Sequence, residues 1–187
     1  LVSVKTPDSV TFLGEAAFYR CTKLKNVTLS NALTIIQDNT FEACKSLTQI
    51  TIPNSVSSIG AVAFRDCKNL KYITISNKVK KIKYGAFGEC NDNLIMYGYD
   101  NPFIQKYAKE NKIGFKTLAI NKPNATITIG KTLQLNMNGL AACKWQSSNK
   151  AVAAVNANGK VTAKKKGTAI ITASLYDKKY ICKVTVK

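Results

Sequence analysis

The chain has 187 residues, of which 28 are basic and 10 acidic, and its formal net charge is +18 at pH 7. It contains no histidine, which excludes triads with an imidazole base, zincin motifs and histidine-containing zinc sites. No apolar run approaches the ~18 residues of a membrane span. The charge favours acidic partners such as nucleic acid, anionic glycans, wall polymers or lipid head groups, or it only keeps the surface soluble.

A 23-residue repeat fills the first half of the chain. Cysteine recurs at Cys21, Cys44, Cys67 and Cys90, and a phenylalanine lies three residues before each of them. Several leucine, valine and isoleucine positions keep the same interval. An unbroken period between 20 and 30 residues predicts a solenoid, in which each coil buries its apolar face against its neighbours.

Each coil is predicted to contain two short strands and a short helical segment. In "LKYITI" (70–75) the apolar residues end in alternation, as in a strand, so we expect Thr74 to point outward. A second extended piece carries "SVSSI" (55–59). The following "GAVAF" (60–64) is expected to turn into a helical segment that ends near Cys67.

The period breaks at "MYGYDNPFIQKYAKENKIGF" (96–115), where a different element is expected. Pro102 can open a helix, and the apolar residues after it share one helical face. We therefore predict four repeats over 1–97 and a capping helix with a linker over 98–118. Because Leu1 already occupies a conserved repeat position, further repeats or an N-terminal cap are expected before it.

A second domain is predicted over residues 119–187. Short alternating runs such as "ATITI", "GKVTAKK" and "YICKVTV" are separated by turns every ~8–12 residues, which is typical of an all-β sandwich. This segment carries 12 basic residues and a single acidic one, Asp177. It therefore holds most of the positive charge of the chain.

Two phrases of the repeat region, "ITIPNSVSSIGAVAFRDCKNL" (50–70) and "ITISNKVKKIKYGAFGEC" (73–90), resemble the BspA-like leucine-rich repeats. The phrase "WQSSNKAVAAVNANGKVTAKKKGTAIITA" (145–173) is similar to bacterial immunoglobulin-like domains of group 2, found in surface adhesins of the intimin and invasin type. The resemblance implies a leucine-rich-repeat solenoid over 1–118, an Ig-like sandwich over 119–187, and an extracellular or cell-surface adhesion role in a bacterium.

The cysteines are the first candidates for chemistry, as metal ligands, disulfide partners, nucleophiles or packing residues. Zinc motifs need cysteines two to four residues apart, and the sequence has no such pair. Equivalent positions in neighbouring coils stack in register, which suits packing and not the crossed geometry of a disulfide. We therefore expect the repeat cysteines to pack. Cys143 and Cys182 are expected to point into the sandwich, with a disulfide between them as the alternative.

Trp145 is expected in the core of the sandwich, as in Ig-like domains, with carbohydrate stacking as the alternative. Ser147, Ser148 and Asn149 are expected to form a turn, because the chain offers no base to activate a serine.

The outward positions of the repeat strands are the best binding candidates, since solenoids bind through their extended surface. With the flanking residues, they are Lys5, Thr28, Thr51, Thr74, Lys25, Gln49, Lys71 and Tyr72. A local basic patch, suited to an anionic glycan, is formed by Lys78, Lys80, Lys81 and Lys83. The alternatives are that threonine is simply a good exposed strand residue and that the lysines form a solvated face.

The prediction is a non-enzymatic cell-surface or secreted adhesion protein. Its solenoid face would bind a host or neighbouring-cell surface protein or an anionic glycan, and the Ig-like module would be a spacer or a second binding unit. No catalytic residue, cofactor, metal, nucleic acid or membrane insertion is expected. The alternative is a set of accessory binding modules of a larger extracellular enzyme, such as a wall hydrolase or glycosidase.

Overall fold

In the computed structural model, the chain divides into two compact units, Leu1–Thr117 and Leu118–Lys187. The residues that the structure describes are 1–99, 101–138, 143–175 and 178–187.

The first unit is a solenoid with two sets of short parallel strands. The first set, which we call the front strands, comprises β1 (Ser3–Lys5), β2 (Asn26–Thr28), β4 (Gln49–Thr51), β6 (Tyr72–Ile75), β8 (Ile95–Gly98) and β9 (Gly114–Thr117). The second set comprises β3 (Ile35–Ile36), β5 (Ser58–Ile59) and β7 (Lys81–Ile82). The first set is divided into the sheets β1-β2 and β4-β6-β8-β9, whereas the second set forms one sheet. Paired strands are offset by 23 residues, except that β9 pairs with β8 at 19. The predicted solenoid and its period are confirmed.

The stretch of each coil that was expected to be helical forms a run of hydrogen-bonded turns. In the first coil the backbone N–H of Phe18 donates to the carbonyl oxygen of Thr40 in the next coil, at 2.9 Å, whereas that of Tyr19 donates back to Ala16. A continuous α-helix would keep every N–H bond within the segment. The coils are therefore hydrogen-bonded to one another on this side as well.

A left-handed backbone makes these turns possible. Two residues in each coil, four positions apart, have positive φ: Ala16, Arg20, Asn39, Ala43, Val62, Asp66, Gly85 and Glu89. Residues with a Cβ atom rarely adopt this conformation. The hydrogen bonds between coils must therefore offset the strain of this conformation. Because ordinary residue types adopt it, the sequence periodicity did not reveal the turns.

A stack of phenylalanine rings runs along the core of the solenoid. Neighbouring rings lie nearly parallel, with centroids 5.2 or 5.3 Å apart, and the stack consists of Phe18, Phe41, Phe64 and Phe87. Tyr107 contacts the last ring edge-on at 6.2 Å. The 23-residue spacing of phenylalanine thus becomes one continuous apolar column.

Helix α1 (Pro102–Glu110) lies between β8 and β9 and packs on the core of the solenoid. The Asn101 side chain accepts hydrogen bonds from the first-turn amides of Phe103 and Ile104, as an N-cap residue does. Ile104 and Ala108, four residues apart on one face, are buried in the same apolar cluster as the repeats. This helix covers the apolar side of the last coil.

The second unit is an Ig-like sandwich, as predicted. Its strands are β10 (Asn124–Ile127), β11 (Thr132–Gln134), β12 (Lys144–Ser147), β13 (Ala153–Val155), β14 (Lys160–Ala163), β15 (Gly167–Leu175) and β16 (Lys178–Val186). One sheet has the order β10-β16-β15-β12 and the other β11-β14-β13. Among the described residues of this unit, β10 pairs with β16 in parallel, and the other strand pairs are antiparallel. Buried residues of both sheets, such as Val161 and Ile171, form one core.

Candidate functional site

The front strands bring six of the predicted binding residues into two rows. Lys5 pairs with Thr28, Thr51 with Thr74, and Gln49 with Tyr72. Because side chains alternate along a strand, residues at these positions share one side of the strands. The front face, as we call this set, consists of Lys5, Thr28, Gln49, Thr51, Tyr72 and Thr74.

Access to the front face decreases along the solenoid. Lys5, Thr28 and Gln49 are exposed, and Thr51 and Tyr72 are half-buried. Thr74 is only 1% exposed, so the expectation that it is open to a ligand is wrong. A ligand would meet the front face mainly in the first three coils.

Tyr97 gives the physical reason for the burial of Thr74. It lies beside Thr74 in the register of β6 and β8, and its ring contacts that of Tyr72 with 5.9 Å between centroids. Two large aromatic side chains therefore flank one threonine. The repeat pattern did not predict this, because Tyr97 follows the point where the conserved leucine comes one residue late.

Two lysines lie along one edge of the front face. Lys25 and Lys71 are exposed and come directly before β2 and β6. The backbone N–H of Lys25 donates to Val2, and that of Lys71 donates to Thr48, at 2.8 and 2.9 Å. Thr48 thus occupies the same row in the coil between the two lysines. At the usual strand spacing their backbones are ~10 Å apart, which places separate cations beside the polar rows.

The basic patch, Lys78, Lys80, Lys81 and Lys83, lies on and around β7, in the other set of strands. All four side chains are exposed. Lys83 binds Asp38 of an earlier coil at 2.9 Å, and this hydrogen bond, with one from the Ala61 amide, lowers the pKa of the Asp38 carboxyl. Within the described residues the other three lysines form no salt bridge, so they remain available to an anionic partner.

Tyr84 belongs beside this patch and was missed by the sequence analysis. Its side chain is 91% exposed and follows Lys83 directly. Tyrosine is enriched at binding interfaces because it combines a large apolar ring with a polar end. The available signal was a break in the repeat, since the equivalent positions in the other coils are Glu15, Asp38 and Ala61.

Three of the four repeat cysteines, Cys44, Cys67 and Cys90, are packing residues. Cys44, Cys67 and Cys90 each donate an S–H hydrogen bond to the carbonyl oxygen of the phenylalanine 26 residues earlier, at 3.0 to 3.2 Å. Burial raises the pKa of the Cys44 and Cys90 thiols to about 12 and also raises the pKa of Cys67. Because the thiolate is the nucleophile and the metal ligand, these residues are poor candidates for either role.

The cysteines of the second unit are also free, and the disulfide alternative is wrong. Strands β12 and β16 both border β15, as expected. Cys182 pairs with Ile171, whereas Lys144, the neighbour of Cys143, pairs with Ser174. One intervening strand and a shift along it separate the two thiols.

Trp145 is half-buried and packs against the sandwich core. A Cβ atom at Gly159 would come within 2.9 Å of its indole ring, so the tryptophan closes tightly over this glycine. The Ser147 hydroxyl donates to the Ala153 carbonyl at 2.6 Å, and the Asn149 side chain accepts from the next turn. The expected packing and turn roles both hold.

Within the described ranges, no group of three or more histidine, cysteine, aspartate or glutamate residues is arranged to hold a metal ion. In the same residues, no helix has the length and apolar character needed to cross a membrane.

Comparison with known families gives matches in both units. Residues 1–116 match the model described as "BspA type Leucine rich repeat region" in six copies. Residues 129–177 match the model of the intimin immunoglobulin-like domain. No curated protein sequence matches the chain.

Two solved structures are similar to the solenoid. A leucine-rich cell surface protein from Faecalibacterium prausnitzii A2-165 is 36% identical with a TM-score of 0.53, over 58% of this chain and 28% of that one. A leucine-rich repeat protein of T. pallidum is 37% identical with a TM-score of 0.49, over 51% of this chain and 45% of that one. The chain therefore spans less than half of either relative.

Proposed function

Because the chain belongs to the family of BspA-type leucine-rich-repeat proteins, we propose that it is a non-enzymatic adhesion protein of a bacterial surface. The front face binds a protein or a glycan of a host or a neighbouring cell. The Ig-like unit is a spacer or a second binding unit. Leucine-rich repeats and Ig-like domains are typically binding modules.

The observation that carries the proposal is the register of the front face. Lys5 and Thr28 are paired and exposed, and Gln49 is exposed in the following coil. Backbone pairing joins β1 to β2 and β4 to β6, which holds the side chains within each pair of strands at the regular strand spacing of ~4.8 Å. Because the strands fix the backbone in advance, binding here orders side chains only and no loop, which favours affinity.

Binding through the front face would rest on many weak polar contacts. Threonine and glutamine supply hydroxyl and amide groups that both donate and accept hydrogen bonds, and Lys25 and Lys71 add charge along one edge. Each exposed contact contributes little free energy. Repetition of such surfaces in one assembly raises the overall avidity without new kinds of contact.

The basic patch with Tyr84 supports a second contact, suited to an anionic glycan. Lys78, Lys80 and Lys81 carry charge that no acidic side chain among the described residues neutralises. The exposed ring of Tyr84 adds an apolar surface beside them. Charged groups at the edge of an interface increase the association rate and make binding sensitive to salt.

A bacterial surface location is supported by the relatives. The F. prausnitzii protein is described as a cell surface protein, and the second unit matches a domain of intimin.

An array of host matrix proteins and glycans, probed at low and physiological salt with the whole chain, tests this proposal. We expect binding to specific ligands that persists at physiological salt when the front face carries it. Binding that disappears at physiological salt would assign the ligand to the lysines. Absence of binding to every protein and glycan at both salt concentrations would overturn the proposal.

A further inference from the structure

The Ig-like unit has one end at which lysines from four separate chain segments meet. None of the described residues of this unit is acidic. None of its described lysines forms a salt bridge with another described residue. The basic end, as we call it, is formed by six exposed lysines: Lys131, Lys150, Lys164, Lys165, Lys166 and Lys187.

Backbone hydrogen bonds fix three of these segments beside one another. The Ala163 amide donates to the carbonyl oxygen of Lys131 at 3.0 Å, and the Lys164 amide donates to Val152 at 2.8 Å, two residues after Lys150. The loops β10–β11, β12–β13 and β14–β15 therefore lie together.

The strand end at Lys187 joins the same group. Its carbonyl oxygen accepts from the Ile129 amide at 3.1 Å, in the loop that leads to Lys131. Gly167, which follows Lys166, pairs with Val186, so Lys166 and Lys187 are at neighbouring positions of two paired strands. Six positive charges are thus held within a few strand spacings, roughly 5–15 Å.

We propose that the basic end binds a linear polyanionic polysaccharide bearing sulfate or phosphate groups. Like charges confined in this way repel one another, and an anionic polymer relieves the repulsion while it releases its own counterions. Charge complementarity therefore selects a ligand with several anionic groups over one with a single group.

Neutral polar groups between the lysines favour a sugar polymer. Thr128, Asn149 and Thr168 are exposed at this end, and their hydroxyl and amide groups suit the hydroxyls of sugar rings. The loops of the basic end contain no aromatic residue on which nucleic-acid bases could stack. Ile129, 50% exposed, is a single apolar side chain, which is little for insertion into a lipid surface.

This inference adds a further site to the proposed surface-binding role and does not depend on the front face or on the basic patch. The sequence shows the run Lys164–Lys166, but only the sandwich topology brings the other three lysines to it.

The test measures binding of the whole chain to immobilised dextran sulfate, to dextran phosphate and to neutral dextran, and to vesicles containing anionic lipid. The triple variant Lys164→Gln, Lys165→Gln, Lys166→Gln is compared with a control of equal charge change, Lys144→Gln, Lys160→Gln, Lys179→Gln. The control lysines are exposed and lie on strands outside the basic end. Circular dichroism establishes that both variants fold.

We expect the wild-type chain to bind at least one of the two anionic polymers at physiological salt and to ignore neutral dextran. The basic-end variant should lose about tenfold or more in affinity, and the control should lose less than about threefold. The polymer that binds more tightly distinguishes a sulfated from a phosphate-bearing source.

Equal losses in the two variants would overturn the proposal, because net charge would then explain the binding. So would tighter binding to vesicles containing anionic lipid, which would identify a membrane as the partner, or no binding to either polymer. A front-face variant, Gln49→Ala with Thr28→Ala, should bind the polymers normally, so failure of one site is separable from failure of the other.

Discussion

The Cys67 thiol donates a hydrogen bond to the backbone carbonyl oxygen of Phe41, 3.2 Å away in the preceding coil. The Cys67 side chain is fully buried, and its backbone amide donates to the carbonyl oxygen of Phe64, whose ring is the next one in the phenylalanine stack. One residue type therefore fills space and joins consecutive coils. The same contact recurs at Cys44 and Cys90, which explains why the cysteine and phenylalanine periods coincide.

We predict that Cys44, Cys67 and Cys90 react with a thiol reagent at pH 8 only when the chain unfolds. Their raised pKa leaves very little thiolate at this pH, and Cys44 and Cys67 are fully buried. Mass spectrometry after brief alkylation, with and without urea, measures the labelling of each cysteine. Rapid labelling of Cys67 in the folded protein would contradict the packing role.

Stability should also fall in alkaline solution because of these thiols. The pKa of Cys44 and Cys90 rises from 9.0 to about 12 on folding, so the folded state binds their protons more tightly than the unfolded state. Their contribution is fully present below about pH 9 and is lost as the pH rises toward 12, with a slope of up to ~1.4 kcal/mol per pH unit and thiol. Urea unfolding at pH 8 and pH 10 measures this, and the variant Cys44→Ser, Cys90→Ser should lose less stability over the same range.

Gly60→Ala should destabilise the solenoid by about 1–3 kcal/mol, as overpacking does. A Cβ atom at this position would overlap the Asp38 carboxylate and would lie 2.5 Å from the backbone of Gln37 and Asp38. Gly14 occupies the same place in the first coil, where the nearest atom is a Phe12 carbon at 4.0 Å. Gly14→Ala is therefore the matched control and should change the free energy of unfolding by less than about 0.5 kcal/mol. Equal effects of the two changes would argue against the close approach at Gly60.

A phenylalanine in the middle of the stack should contribute more to the free energy of unfolding than one at its end. Phe64 is fully buried between two parallel rings, whereas Phe18 is half-buried and has one ring neighbour in the stack. We expect Phe64→Ala to cost about 3–5 kcal/mol of unfolding free energy and Phe18→Ala clearly less. Urea unfolding of the two variants provides the comparison, and a larger effect at Phe18 would contradict it.

The ion pair between Lys83 and Asp38 should contribute to the free energy of unfolding at neutral pH and lose that contribution in acid. Lys83 lowers the pKa of Asp38, so this carboxylate stabilises the fold above its unfolded pKa of about 3.8, and the contribution is lost as the pH falls through the lower folded value. Lys83→Met should remove this contribution, by about 0.2–1 kcal/mol at pH 7, because the pair is partly exposed. Titration by NMR should show a higher pKa for Asp38 in the variant, and an unchanged value would mean that Lys83 does not hold the carboxylate.

The solenoid could be predicted from the sequence because the 23-residue period of the sequence is also the period of the buried positions in the core. Each coil contributes the same apolar positions, so Cys67 and Phe64 could be placed from spacing. The Ig-like sandwich followed from its alternating strands and from the phrase around Trp145. Both cases depend on residues that repeat or alternate with the structure.

The errors arose where a contact depends on a single coil or on backbone conformation. Thr74 has the sequence context of an exposed strand threonine, and its burial follows from one tyrosine in the next coil, Tyr97. In the turns around Val62, residues other than glycine have positive φ, and their residue types do not predict this conformation. The lysines of the basic end are distant in sequence, so only the strand order brings them together.

The affinity of a ligand for variants of the whole chain is the measurement that tests the role of the front face most directly. With a ligand identified by the array, one variant removes three exposed front-face side chains, Lys5→Ala, Thr28→Ala and Gln49→Ala. The matched variant removes two exposed hydroxyl side chains beside the second set of strands, Thr34→Ala and Ser57→Ala, and one exposed lysine of helix α1 outside the basic patch, Lys109→Ala.

A front-face interaction predicts that the first variant loses about tenfold or more in affinity and that the second binds within about threefold of the wild-type chain. The opposite ranking, or equal affinity in both variants and the wild-type chain, would contradict it.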